Sequence, residues 1–157
     1  MGMLGLSGCG GGYSFSGGDT GNARTFSVGD FPNNADLFQP NLSIVLAESL
    51  RNLINQQTRL ELSREEADLQ FEGAILGYVV EPLSAQGDGT IDQNRLTVTV
   101  QVTYTNTLEP TKNFERTFTQ FANFEASENF SDVEEQLIAQ ICRQLSEDIT
   151  NQALVNW

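Results

Sequence analysis

Leu96-Thr97-Val98-Thr99-Val100-Gln101-Val102-Thr103-Tyr104 alternates apolar and polar residues without a break over nine positions. A period of two places Leu96, Val98, Val100, Val102 and Tyr104 on one face, and Thr97, Thr99, Gln101 and Thr103 on the other. Such a pattern is that of a half-buried antiparallel strand, with one side on a core and one side toward water or a partner. Downstream, Asn106 to Lys112 read as a turn containing Pro110, and Phe114, Arg116 and Phe118 continue as a second alternating strand whose parity breaks at Phe121. Upstream, Leu69 to Val80 reads as a long strand in which Leu69 and Phe71 share one parity while Leu76, Tyr78 and Val80 share the other. Gly73 and Gly77 flank that switch, which predicts a β-bulge or sharp coil there. Gln86-Gly87-Asp88-Gly89 reads as the turn between these two strands.

Two helical patterns frame the strands. Leu42, Val45, Leu46, Leu50, Leu53 and Ile54 follow helical spacing, predicting an amphipathic helix over 41–57 with Asn41 as its N-cap. Val133, Leu137, Ile138, Ile141, Leu145 and Ile149 form the stripe of a second helix that runs to about Leu154. Ser131-Asp132-Val133-Glu134 reads as its capping box, and Asp132, Glu134 and Glu135 suit the positive end of its dipole. Thr25-Phe26-Ser27-Val28 forms a short first strand. The order β-α-β-β-β-α predicts an α+β two-layer sandwich, with two helices on one face of a roughly four-stranded, largely antiparallel sheet.

Composition limits what this domain does. The 157 residues carry 8 Lys+Arg against 21 Asp+Glu, a formal charge of −13, and the chain has a single Lys. Nucleic-acid binding needs clustered bases to neutralise phosphates, so it is disfavoured. With no His, Ser-His-Asp and Cys-His nucleophile systems are excluded and zinc and haem sites lose their usual ligand. No cofactor or metal site and no catalytic set can be named, so an enzyme is not expected. Two Cys, at 9 and 142, make no disulfide framework, and Cys142 reads as a small core hydrophobe.

The N-terminal stretch differs from the rest, holding ten of the fourteen glycines in its first 29 residues. Leu6-Ser7-Gly8-Cys9 has the form of a bacterial lipobox, and a Gly-rich stretch follows it. Residues 1–8 are therefore read as the remnant of a lipoprotein signal peptide, 9–23 as a lipidated Cys9 with a glycine tether, and 24–157 as a single domain.

Several short motifs occur in order: Cys9 with Tyr13-Ser14-Phe15-Ser16-Gly17, then Phe31-Pro32-Asn33-Asn34 before the first helix. They continue with Phe71-Glu72-Gly73 and Gly77-Tyr78, Asn94-Arg95-Leu96-Thr97, Asn113-Phe114-Glu115, Ser131-Asp132-Val133-Glu134 and Val155-Asn156-Trp157. The set, spanning 9 to 157, resembles the compact form of the lipopolysaccharide-assembly lipoprotein family (LptE). That resemblance implies a non-catalytic, lipid-anchored protein on the periplasmic face of the outer membrane. Its implied partners are the large β-barrel that inserts lipopolysaccharide into the outer leaflet, and lipopolysaccharide itself. The competing reading is a generic lipid-anchored binding or scaffold domain for another envelope partner. Lys112 and Arg116, on a strand that mixes bases with aromatics, are candidates for lipopolysaccharide phosphates. In the alternative reading Phe114 and Phe118 are core, and Arg116 is an edge charge that blocks sheet-to-sheet association.

Overall fold

The computed structural model describes residues 21–35, 39–83 and 93–155. β4 (Gln93–Asn106) carries the alternation: Leu96, Val98, Val100, Val102 and Tyr104 are all fully buried. It pairs antiparallel with β3 (Leu69–Leu83) on one side and β5 (Phe114–Glu125) on the other. β1 (Thr25–Val28) lies beyond β3 and runs parallel to it, and the two-residue β2 (Glu61–Leu62) is parallel to β1, giving the order β2-β1-β3-β4-β5. The α+β two-layer architecture is present, with five strands in one sheet rather than about four. The additional strand is the Glu61–Leu62 extension, which is brought beside β1 by α1 (Pro40–Gln57). α2 (Phe130–Thr150) packs antiparallel strands β4 and β5, while α1 contacts β1, β2 and α2. Among the described residues no helix is long and apolar enough to cross a membrane.

The bulge in β3 falls within the region that the parity switch marks. Ile75 pairs with Val100 and Gly77 with Thr99, so Leu76 is the extra residue. Leu69, Phe71 and Ile75 face the core before it and Tyr78 after it. Leu76 does not join Tyr78 inside; two consecutive bulged residues share the outer side, and Leu76 is 45% exposed. No such irregularity occurs at Phe121. The β4–β5 register runs without a shift from Gln93↔Glu125 to Tyr104↔Phe114. Phe121 simply points outward, and Ala122 and Phe124 keep the inward positions. A small residue at 122 and a large one at 121 imitate a parity change in the sequence.

After β1 the chain stays alongside β3. Gly29 N–H donates to Phe71 O (2.8 Å), Ile75 N–H to Pro32 O (2.8 Å) and Asn34 N–H to Ile75 O (2.8 Å). This route lays the fully buried Phe31 ring over Gly73. A Cβ at Gly73 would stand 1.9 Å from the Gln101 carbonyl oxygen and 2.9 Å from Phe31 Cε2. Asp68, at the head of β3, accepts from the backbone N–H groups of Arg24 (2.8 Å) and Thr25 (3.3 Å) and fixes the point where the chain enters β1.

Both helices start differently from the sequence pattern. α1 begins at Pro40, whose fixed φ and missing N–H suit the first helical position. Its cap is Gln39, the side-chain oxygen of which accepts from Asn41 N–H at 3.1 Å. α2 starts after Asn129 with no side-chain cap bond, so the capping box is not made. Its Glu134 carboxylate is engaged elsewhere, accepting from Tyr78 Oη–H and from Gln39 Nε2–H (2.8 Å). That junction ties the starts of both helices to β3. Leu137, Ile138, Ile141, Cys142, Leu145 and Ile149 form the buried stripe of α2, which passes at Thr150 into a π-helical turn over Asn151–Val155.

Two substitutions in β3 test the packing. Gly73→Ala should cost about 3 kcal/mol, because backbone rather than a movable side chain blocks the new methyl. Gly77→Ala should change stability by less than about 0.5 kcal/mol, since its Cβ would meet Thr99 at 3.4 Å, ordinary contact. Urea unfolding of the two variants beside the parent reads both. Leu137→Ala or Ile141→Ala should cost about 2–5 kcal/mol in the same assay.

Candidate binding surface

The helices cover one face of the sheet, and among the described residues nothing covers the other. β4 presents Arg95, Thr97, Thr99, Gln101, Thr103 and Thr105 there, all partly exposed. β5 adds Glu115, Thr117, Thr119, Phe121 and Asn123, because its odd positions stand beside the odd positions of β4. The middle of this face is neutral and polar, with Thr119 and Thr99 hydroxyls 3.3 Å apart. Hydroxyl and amide side chains on paired strands offer many donors and acceptors at low entropic cost of ordering.

Toward the β3–β4 hairpin the face becomes apolar. Val79, Thr97 and Phe121 stand side by side across three strands, with Leu76 at the bulge one step away. Val79 and Phe121 are 49% and 45% exposed. In the next row Arg95 Cζ lies 3.9 Å from the centre of the Phe121 ring, and Arg95 Nε–H donates to Asn123 Oδ1 at 3.0 Å. The sequence reading did not single out this group. Its signal was the odd-position run on both strands, which needs the β4–β5 register to bring Arg95 and Phe121 together.

The residues named from sequence are dispersed. Cys9 lies outside the described residues. Lys112 closes a short 3₁₀ turn (Pro110–Lys112) and pairs with Glu109 at 3.0 Å. Arg116 sits on β5, the outer strand of the sheet, on the helix side, where its guanidinium donates to Gln152 Oε1. Beside it Gln120 Nε2–H donates to Asp148 Oδ2 at 2.6 Å, and Arg116, Asp148 and Gln152 line a shallow polar groove between β5 and the end of α2. Phe114 and Phe118 pack against the core, in a chain of ring contacts from Phe71 through Tyr104 (5.0 Å) to Phe114 (5.2 Å). Phe114 and Phe118 are therefore structural, and Arg116 carries its charge on an edge strand.

Comparison with known proteins points one way. Residues 23–153 match the model of the family described as lipopolysaccharide-assembly (LptE). No curated protein matches the chain. The fold is similar to that of a minor lipoprotein from Acinetobacter baumannii, at 16% identity and a TM-score of 0.54, covering 83% of this chain and 91% of that one. It is also similar to uncharacterized lipoprotein B from Nitrosomonas europaea, at 14% identity and 0.53, covering 88% of each. A protein from Xanthomonas campestris gives 0.57 at 8% identity, covering 88% and 87%. At these identities the likeness is one of fold.

The groups with displaced proton affinity lie in the core, away from the open face. Burial pushes the Cys142 thiol up from 9.0 to about 12 and the Tyr104 phenol up from 10.0 to about 12. Burial, then the bond to Glu134, moves Tyr78 further up. None of these is poised for acid–base work near neutrality. They bear instead on alkaline stability. The unfolded chain loses these protons near pH 9 to 10 while the folded chain keeps them, so the unfolded state binds fewer protons and stability falls as pH rises. The contribution is complete below about pH 9 and disappears through about pH 12. Urea midpoints should be level from pH 7 to 8.5 and decline above 9, with a shallower decline in Tyr104→Phe.

Proposed function

Because the chain belongs to the LptE lipopolysaccharide-assembly family, we propose that it is a non-catalytic lipoprotein subunit of the lipopolysaccharide translocon. In this reading Cys9 carries the lipid, the domain sits at the periplasmic face of the outer membrane, and its partner is the β-barrel that inserts lipopolysaccharide. The observation that carries the reading beyond the family is the uncovered Thr- and Gln-bearing sheet face. Barrel lumens are lined by polar side chains, so a subunit that meets such a wall needs hydrogen-bonding capacity rather than a broad apolar surface. The face from Thr97 to Thr105 has that chemistry.

Anchoring follows from arithmetic. Two or three acyl chains at about 0.8 kcal/mol per buried CH₂ hold a protein firmly on a bilayer, whereas one chain does so only marginally. Lys112 and Arg116 are the bases offered to lipopolysaccharide phosphates. An incoming phosphate has to displace Glu109 from the first and Gln152 from the second. Charge-assisted bonds of guanidinium to phosphate are stronger than those to a neutral amide, so the exchange at Arg116 is favourable.

Two experiments test the proposal. Affinity-tagged protein from detergent-solubilised outer membranes should bring down one large β-barrel in fixed stoichiometry, and depletion of the protein should lower surface lipopolysaccharide. Recovery of the protein alone, with normal surface lipopolysaccharide after depletion, rejects the proposal. Cys9→Ser should abolish palmitate labelling and release a folded domain to the soluble fraction; retention on membranes rejects Cys9 as the anchor.

A further inference from the structure

The open face is not uniform, and among the described residues an apolar region coincides with an immobilised arginine. Leu76, Val79 and Phe121 are three of the six large hydrophobic side chains that stand exposed among the described residues. All three lie on the same face and on the same half of the sheet. Val79 and Phe121 flank Thr97 at about 10 Å from one another, two strand spacings. Leu76 follows the inward Ile75 to the outer side, and the bulge then keeps Gly77 on that side, so that Tyr78 turns in and Val79 joins Leu76 in this patch.

Arg95 gives the patch its charge. Its guanidinium plane is held against the Phe121 ring and its Nε–H is tied to Asn123, so its two terminal nitrogens are left as a fixed fork. Both supports are neutral. Glu81 is its register neighbour on β3, yet among the described residues no carboxylate lies within ion-pair distance of it. In a chain with 21 acids and 8 bases, an oriented guanidinium without a carboxylate is a place where an external anion is matched. An aromatic ring and an arginine set among aliphatic side chains are also the composition of an interface centre. The patch lies across consecutive strands, and the cavities formed among the described residues are lined by other side chains, which favours a protein wall over a lipid.

We propose that Leu76, Val79, Phe121 and Arg95 form the centre through which the open face docks on the barrel, with Arg95 meeting a carboxylate of its polar wall. The polar rows from Thr99 to Thr105 form the surrounding rim. This rests on the barrel-binding reading above and specifies where and with what chemistry the contact is made.

The test uses the full-length lipoprotein in its own membranes. Arg95→Glu should lower recovery of the barrel about tenfold or more, and Phe121→Ala should lower it comparably. Arg95→Lys should fall between these and the parent, and Gln56→Ala, exposed on α1 in the helix layer on the other side of the sheet, should leave recovery unchanged. Far-ultraviolet circular dichroism of each purified variant separates loss of docking from loss of fold. A photoreactive benzoylphenylalanine at Val79 should give an adduct with the same barrel, weakened by Arg95→Glu. If the parent recovers no barrel, the translocon reading fails and this proposal with it. If the parent recovers the barrel and Arg95→Glu recovers it equally, the docking centre is elsewhere. An adduct at Val79 with lipopolysaccharide, or none at all, overturns the proposal in the same way.

Discussion

From Gln93 to Tyr104, β4 is paired on both sides, with β3 and with β5. A strand held in this way imposes its period of two on both neighbours, because a slip of one residue on either side turns a whole row of buried side chains to water. The rest of the molecule adjusts to that constraint. β5 meets it directly, with Phe114, Phe118, Ala122 and Phe124 on the core side. β3 cannot meet it over fifteen residues and accommodates the mismatch at Leu76. The helices then close over the buried rows, and the Gln39–Glu134–Tyr78 junction ties their starts to the strand that bends.

Much of this was legible because local patterns coincide with global ones. Alternation from Leu96 to Tyr104 and the stripe of Leu137, Ile141 and Leu145 each report a single buried face, so strand and helix assignments follow from periodicity alone. Features that depend on competition between partners were not legible. Glu134 sits where a capping box would use it, but the buried Tyr78 hydroxyl needs an acceptor, and an unsatisfied buried hydroxyl costs more than an open helix start exposed to water. Asn41 is a good capping residue displaced by Pro40, which fits the first turn better than it fits a position before the helix. β2 is two residues long and exists only because β1 lies beside it.

The binding face divides along the same line. Its polar character was readable from the Thr and Gln positions of β4, since one strand suffices to define it. Its apolar centre was not, because Arg95, Phe121 and Val79 come from three strands and meet only through register. Phe121, taken by itself, resembles a core residue out of phase. Placed under a guanidinium it is a surface residue with its ring partly covered, which reconciles a large aromatic with an outward position. Lys112 and Arg116 stood out in the sequence for the opposite reason, being bases beside aromatics on one strand. Those aromatics belong to the core.

The place where the chain enters the sheet has a mechanical consequence. β1 lies between β2 and β3 with its neighbours parallel, and its first residues are clasped by the Asp68 carboxylate through two backbone N–H groups. Tension arriving from the preceding residues along the strand direction therefore acts as shear on several bonds at once: those to Asp68, to both neighbouring strands, and those of Gly29 and Pro32 with β3. Bonds strained together resist far more than bonds peeled in turn. A pull on those residues is thus met inside the sheet, between β2 and β3, rather than at a free edge that could unravel strand by strand.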